Sequence, residues 1–94
     1  MFAIEVGADD TIFLIGRFDA AQVEKATPVF AAVENGRTVD FARLDYISSA
    51  GLGLLLATQK RLSRRGAGLR IVNINPHIRN VFRYSGFDQV FQID

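Results

Sequence analysis

The chain has 94 residues, enough for one domain with one core, and 49% of them are hydrophobic, which argues for a packed structure rather than disorder. Eleven Lys and Arg against ten Asp and Glu leave a net charge of +1, without the basic excess of a dedicated nucleic-acid binder. The absence of cysteine excludes a disulfide scaffold and a thiolate metal site and fits a reducing compartment.

The start, Met1-Phe2-Ala3-Ile4-Glu5, has no basic n-region and no long apolar core, so no signal peptide is expected. The apolar run from Leu52 to Ala57 is too short to span a bilayer, so neither membrane insertion nor any location but the cytoplasm is expected. Residues 1–94 read as a single domain, with no repeat or linker.

Phe2 to Val6 alternates weakly and predicts a first strand. Gly7-Ala8-Asp9-Asp10 is a turn, and Thr11 to Phe18 is a second strand, closing a hairpin. Asp19 stands where an N-cap carboxylate accepts the free amides of a following helix. That helix runs over 20–33, with Val23, Ala26, Phe30 and Val33 at helical spacing. Pro28 predicts a kink, or a restart with Thr27 as cap. Asn35-Gly36, both tolerant of left-handed backbone, closes it.

Arg37 to Phe41 predicts a short strand, and Ala42 to Ile47 a loop into a long helix, Ser49 to Arg65, ended by Gly66 and Gly68. Leu69 to Ile74 is a near-continuous apolar strand, the pattern of burial on both faces. Asn75-Pro76 is a cap followed by proline at the first helical position, and Ile78, Val81 and Phe82 give that helix an apolar face. Ser85-Gly86 stops it, and Val90 to Ile93 is a final edge strand. The order β-β-α-β-α-β-α-β predicts an α/β fold, a mixed sheet with helices packed mainly on one face.

On a wheel of the long helix, Leu52, Leu55, Leu56 and Leu62 face the sheet. Ser49, Gly53, Ala57, Lys60 and Arg64 form a second stripe, flanked by Ala50, Leu54 and Arg61. It is small and apolar at its start and basic at its end. Lys60, Arg61, Arg64 and Arg65 read as a solvated end that complements the helix dipole. Two glycines in the first turns, Gly51 and Gly53, each cost up to about 1 kcal/mol against alanine. Either they pack tightly against the chain's own loops or they let a partner approach. Ser48 and Ser49 stand at the positive end of the helix, where a phosphate, carrying about −1.5 to −2 charges, is tolerated.

The run Leu44-Asp45-Tyr46-Ile47-Ser48-Ser49-Ala50-Gly51-Leu52-Gly53 resembles the signature of STAS domains of the bacterial anti-sigma factor antagonist type. The resemblance extends to Gly16-Arg17-Phe18-Asp19, to Leu69-Arg70-Ile71-Val72 and to Val81-Phe82-Arg83-Tyr84-Ser85-Gly86-Phe87, covering almost the whole chain in the family's order. It implies a transcription-regulating partner switch without enzymatic activity or cofactor. Such an antagonist binds an anti-sigma factor that is also a serine kinase of ATP-binding type, and so frees the sigma factor. Phosphorylation at the start of the second helix releases it, and a phosphatase resets the cycle. Registered on Gly-Leu-Gly, the phosphorylated residue is Ser49, with Ser48 a second candidate. Family members often carry Asp where this chain has Ser48, and Ser or Thr where it has Ala50. The implied partner surface comprises Asp19, Ser48, Ser49, Ala50, Gly51, Gly53, Leu54 and Ala57.

Within the same fold, the alternative is an accessory subunit of a lipid-transport or sensory complex, docking by the same face without sigma regulation. An enzyme is disfavoured by the lone His77, which has no nucleophile motif or second histidine beside it. Nucleic-acid binding through Lys60 to Arg65 with Arg70, Arg79 and Arg83 lacks a recognition helix or stacking aromatics.

Overall fold

The computed structural model describes residues 1–94. Strands β1 (Phe2–Val6) and β2 (Ile12–Phe18) form the expected antiparallel hairpin, with Phe2 opposite Gly16 and Val6 opposite Ile12. Its turn is closed by Gly7 N donating to Thr11 O (2.8 Å) and by Asp10 in left-handed backbone (φ 67°). Strands β3 (Arg37–Ile47), β4 (Leu69–Val72) and β5 (Gln92–Ile93) add in parallel, giving the order β1-β2-β3-β4-β5. Each crossover steps one strand outward in the same direction. Right-handed crossovers therefore lay α1 (Val23–Ala31), α2 (Ser49–Ser63) and α3 (Pro76–Tyr84) on one face of the sheet.

Between that face and the helices lies one core. Leu14 and Phe18 of β2, Phe41 and Leu44 of β3 and Ile71 of β4 meet Phe30, Leu55, Leu62, Ile78 and Phe82 of the helices, all of them buried. Phe82 touches Phe41, Phe87 and Phe91 edge-on or tilted, with ring centroids 5.7–6.5 Å apart, so α3 and the C-terminal segment are held by aromatic packing.

The largest departure from expectation is β3, which continues through the predicted loop 42–47 to Ile47. Its buried residues are Val39, Phe41, Leu44 and Ile47, spaced two, three and three apart. Two register shifts against β2 explain this. Phe13 and Ile15 pair with Asp40 and Arg43, and Gly16 and Arg17 pair with Leu44 and Tyr46, so Ala42 and Asp45 are extra residues. Bulges of this kind break strict alternation and increase local twist. Asp40 anchors the first one, accepting from Ala42 N (2.8 Å) and from Asn73 Nδ2 (3.0 Å). Gly16 sits beside the second with φ 87°, and a Cβ there would collide with the main chain of Met1.

The first helix also departs. A 3-10 turn, Ala20–Gln22, precedes α1, which continues past Pro28 with no restart at Thr27. Thr27 is helical and donates its hydroxyl to Val23 O (2.7 Å). Pro28 lies on the exposed side, where water can take the carbonyl that its missing N–H leaves free. Neither Asn35 nor Gly36 has a positive φ. The end of α1 is capped from the neighbouring helix instead. Arg61 Nη1 and Nη2 donate to Val33 O (2.7 Å) and Phe30 O (2.9 Å).

The later elements follow expectation with trimmed ends. Helix α2 stops at Ser63, and Gly66 (φ 72°) turns the chain as Ala67 N returns to Leu62 O (3.1 Å). Strand β4 ends at Val72 because Asn73 is left-handed (φ 59°). Asn75 caps α3, its Oδ1 accepting from Ile78 N (2.8 Å), with Pro76 next. A 3-10 turn over Phe87–Gln89 leaves only Gln92–Ile93 for β5.

Candidate functional site

The C-terminal ends of β2 and β3 lie side by side, joined where Ser48 N donates to Phe18 O (2.9 Å). This bond places Asp19, next after Phe18, beside the start of α2. Ser48 is the N-cap of α2, half-buried, its Oγ accepting from Gly51 N at 3.1 Å. Ser49 is the first helical residue. It is exposed, and its hydroxyl has no hydrogen-bond partner.

Asp19 does not cap as expected. Its main-chain oxygen accepts from Gln22 N (3.0 Å) to open the 3-10 turn, but its carboxylate bonds no amide. The tight turn brings the Gln22 amide onto the carbonyl, leaving the side chain without that donor. Asp19 Oδ1 is buried and bonds no protein group, unlike most buried oxygens.

The two glycines of α2 separate cleanly. Gly51 is buried, and a Cβ on it would stand 3.1 Å from Phe18 O and from Ile47 Cγ1. It is a packing residue, which corrects its expected place on the partner surface: its free side faces β2 and β3. Gly53 is exposed, and a Cβ there would meet nothing within 4 Å. The fold does not require that glycine.

Ala50 and Ala57 are exposed and Leu54 is half-buried, so with Ser49 and Gly53 they form one open stripe. Leu54 and Ala57 also line a groove of about 250 Å³ between α2 and α1, completed by Thr58 and Arg61 and, from α1, by Thr27 and Ala31. The α1 wall was not singled out from sequence, although Thr27 and Ala31 stand four apart on one helical face.

The inner face of α2 is Gly51, Leu52, Leu55, Thr58 and Leu62, with the hydroxyl of Thr58 donating to Leu54 O (2.9 Å). Leu56, expected to face the sheet, is only half-buried. Gln59 ties α2 to two other segments, accepting from Leu69 N (2.7 Å) and donating to Val90 O (3.1 Å). The basic end is not simply solvated. Arg61 caps α1 and Arg65 donates to Glu34 O (3.2 Å), whereas Lys60 and Arg64 have no partner.

His77 is exposed on the first turn of α3, without a side-chain hydrogen bond. No three His, Cys, Asp or Glu side chains stand close enough to hold a metal ion. No helix is long and apolar enough to cross a membrane. Tyr84 is exposed, while Phe82 is core and Phe87 packs against it.

A family model described as "Mlab, STAS domain" matches residues 4–93. Among known proteins, one named "Putative anti-sigma factor antagonist BtrV", from Bordetella bronchiseptica, is 40% identical over 74 residues. That match takes in 79% of this chain and 58% of BtrV, so the chain spans less than two thirds of that relative. A STAS-domain containing protein of Pseudomonas aeruginosa is 28% identical over 90 residues, 93% of this chain and 89% of the relative. Among solved structures, phosphorylated SpoIIAA of Bacillus superposes with TM-score 0.70 at 24% identity, covering 100% of this chain and 91% of its own. An anti-sigma factor antagonist from Mycobacterium paratuberculosis superposes with TM-score 0.80 at 20% identity, covering 99% and 83%. At such identities the structural likeness speaks for the fold.

Proposed function

Because this chain belongs to the STAS domain family, we propose that it is an anti-sigma factor antagonist, residues 1–94 forming one domain switched by phosphorylation of Ser49. In the unmodified state the stripe of Ser49, Ala50, Gly53 and Ala57 receives an anti-sigma factor that is also a serine kinase, and the sigma factor is freed. The kinase then transfers the γ-phosphoryl group of ATP to Ser49 Oγ. The hydroxyl proton leaves, and ADP departs. A phosphatase hydrolyses the ester and restores the contact. The chain needs no cofactor for this, since the kinase supplies the nucleotide, and it acts in the cytoplasm as a regulator of transcription.

One observation carries the choice of residue. Of the two adjacent serines, Ser48 uses its oxygen to cap α2 and is half-buried, while Ser49 is exposed with its hydroxyl free. Ser48 Oγ, half-buried and engaged by Gly51 N, is the less accessible acceptor for a kinase. A phosphate on Ser49 lies by the free amides and positive end of α2, so the fold tolerates it while the contact surface gains about −1.5 to −2 charges. Two further features support a partner at this end. Asp19 keeps a buried, unpaired oxygen beside the helix start, and Gly53 is small without a packing reason.

Phosphopeptide mapping on the protein recovered from its native cells tests the assignment. Phosphate on Ser49, with an ATP-binding kinase in the same isolate, is expected. Recovery of the unphosphorylated chain with transporter or scaffold subunits instead would replace sigma regulation by the accessory-subunit role, using the same face.

A further inference from the structure

The groove between α1 and α2 lies on the same side of the molecule as the Ser49 stripe and shares Leu54 and Ala57 with it. At about 250 Å³ it is smaller than the roughly 300–1,000 Å³ of small-molecule sites and suits a single side chain. Its walls are Leu54, Ala57 and Thr58 on one side and Thr27 and Ala31 on the other, and Arg61 closes one end. Arg61 is fixed there by the main chain of α1, so that end of the groove is preformed.

Charge is distributed unevenly along this surface. From Ser48 to Arg65 there is no acidic residue. Of the four basic side chains at the end of α2, Arg61 and Arg65 are tied to main-chain oxygens beyond α2, while Lys60 and Arg64 remain unpaired. These two lie on the Ser49 stripe, about 16 and 22 Å from it along the helix axis. Of the acids near this face, Asp19 and the exposed Glu24 one turn before Thr27 lie at the opposite, switch end, while the exposed Glu34 lies at the basic end, where its main-chain oxygen takes Arg65 and its carboxylate pairs with neither Lys60 nor Arg64.

Resting on the reading of α2 as a docking face, we propose that the partner kinase's footprint continues past Ser49, seats one aliphatic side chain in the α1–α2 groove and meets Lys60 and Arg64 with acidic side chains. A symmetric pairing of this face with its own copy would leave the groove unfilled. The large exposed apolar residues are Met1, Val6, Tyr84 and Val90, none of them on α1 or α2, so this face has no knob to offer its own copy. With the apolar anchor in the middle and free cations at one end, the contact has a fixed polarity. The acidic groups of the partner determine which way round it docks, and the phosphoserine acts at the other end of the same footprint.

The test uses the ATP-binding kinase that copurifies with the wild-type chain, identified and purified. Its affinity is measured by titration calorimetry at 0.1 M and 1 M salt. Reversing both free charges (Lys60→Glu with Arg64→Glu) is expected to weaken binding at least about tenfold at 0.1 M. The gap closes at 1 M, as the Debye length falls from about 10 to about 3 Å. Ala31→Phe, at an exposed position on α1, fills the groove while leaving every α2 residue as it is, and is expected to weaken binding about tenfold at both salts. Arg83→Glu, an equally exposed arginine on α3, leaves affinity unchanged. Binding by the double variant or by Ala31→Phe within about twofold of wild type would overturn the proposal. So would an equal loss from Arg83→Glu, which would make the effect one of net charge. A wild-type dimer in sedimentation that the double variant abolishes would assign the face to a second copy and overturn it as well. If no kinase copurifies, the function proposed above fails and this inference with it. A kinase that binds but ignores both substitutions refutes the inference alone.

Discussion

Two glycines two residues apart in α2 should respond to alanine with opposite signs. At Gly51 the added Cβ would stand 3.1 Å from Phe18 O, 3.1 Å from Ile47 Cγ1 and 3.2 Å from Phe18 Cδ2. Carbon contacts are optimal at about 3.5–4.0 Å. Phe18 O cannot retreat freely, because it accepts the bond from Ser48 N that joins β2 to α2. Overpacking of this kind costs about 1–3 kcal/mol, and the gain in helix propensity returns up to about 1 kcal/mol, less so near close to a helix end. Gly51→Ala is therefore expected to destabilise by about 1 kcal/mol. At Gly53 nothing lies within 4 Å, so only the propensity gain remains and Gly53→Ala stabilises by about 0.5–1 kcal/mol. For a domain of this size 1 kcal/mol moves the melting temperature by about 4–8 °C. Thermal and urea melts followed by circular dichroism read the difference directly. If both variants moved the melting temperature the same way, the division of α2 into a packed and an open face would be wrong.

Five other substitutions probe the same region. Arg61→Ala removes two charged hydrogen bonds from the end of α1 and should cost about 2–3 kcal/mol in urea melts, whereas Arg64→Ala, with no partner, stays within about 0.5 kcal/mol. Ser48→Ala loses the α2 cap and should cost about 1 kcal/mol, while Ser49→Ala leaves stability within about 0.5 kcal/mol and removes the site of phosphorylation, which melts and a kinase assay separate. Asp19→Ala deletes a buried oxygen that bonds nothing. It should leave the melting temperature unchanged or higher while weakening capture of the kinase, and a lowered melting temperature would give Asp19 a structural role instead.

What could be read without coordinates was local. The hairpin, the Asn75-Pro76 start of α3 and the Gly66 stop of α2 each depend on a few adjacent residues, and all three stand in the structure. The continuation of β3 was not legible, because two bulges against β2 replaced a period of two by steps of three. The end of α1 departs from expectation for another reason. Its cap comes from Arg61, 28 residues beyond Val33, and no neighbouring Asn or Gly signals it. Asp19 was in the right place with the wrong bond, since an N-cap signature does not distinguish a carboxylate that caps from a carbonyl that does. Within the site, the open stripe from Ser49 to Ala57 followed from helical geometry alone. Gly51 could have been assigned to the core by the same wheel, since it shares a face with Leu55, Thr58 and Leu62 at steps of four, seven and eleven.

The most direct test of the switch is the affinity of the copurifying ATP-binding kinase for two forms of the same chain, unmodified and stoichiometrically phosphorylated on Ser49. The account predicts tight binding of the unmodified form and a loss of at least about a hundredfold, near 3 kcal/mol, on phosphorylation, with both forms equally folded. Equal affinity for the two forms would contradict it, and would leave the α2 face as a docking surface that Ser49 does not control.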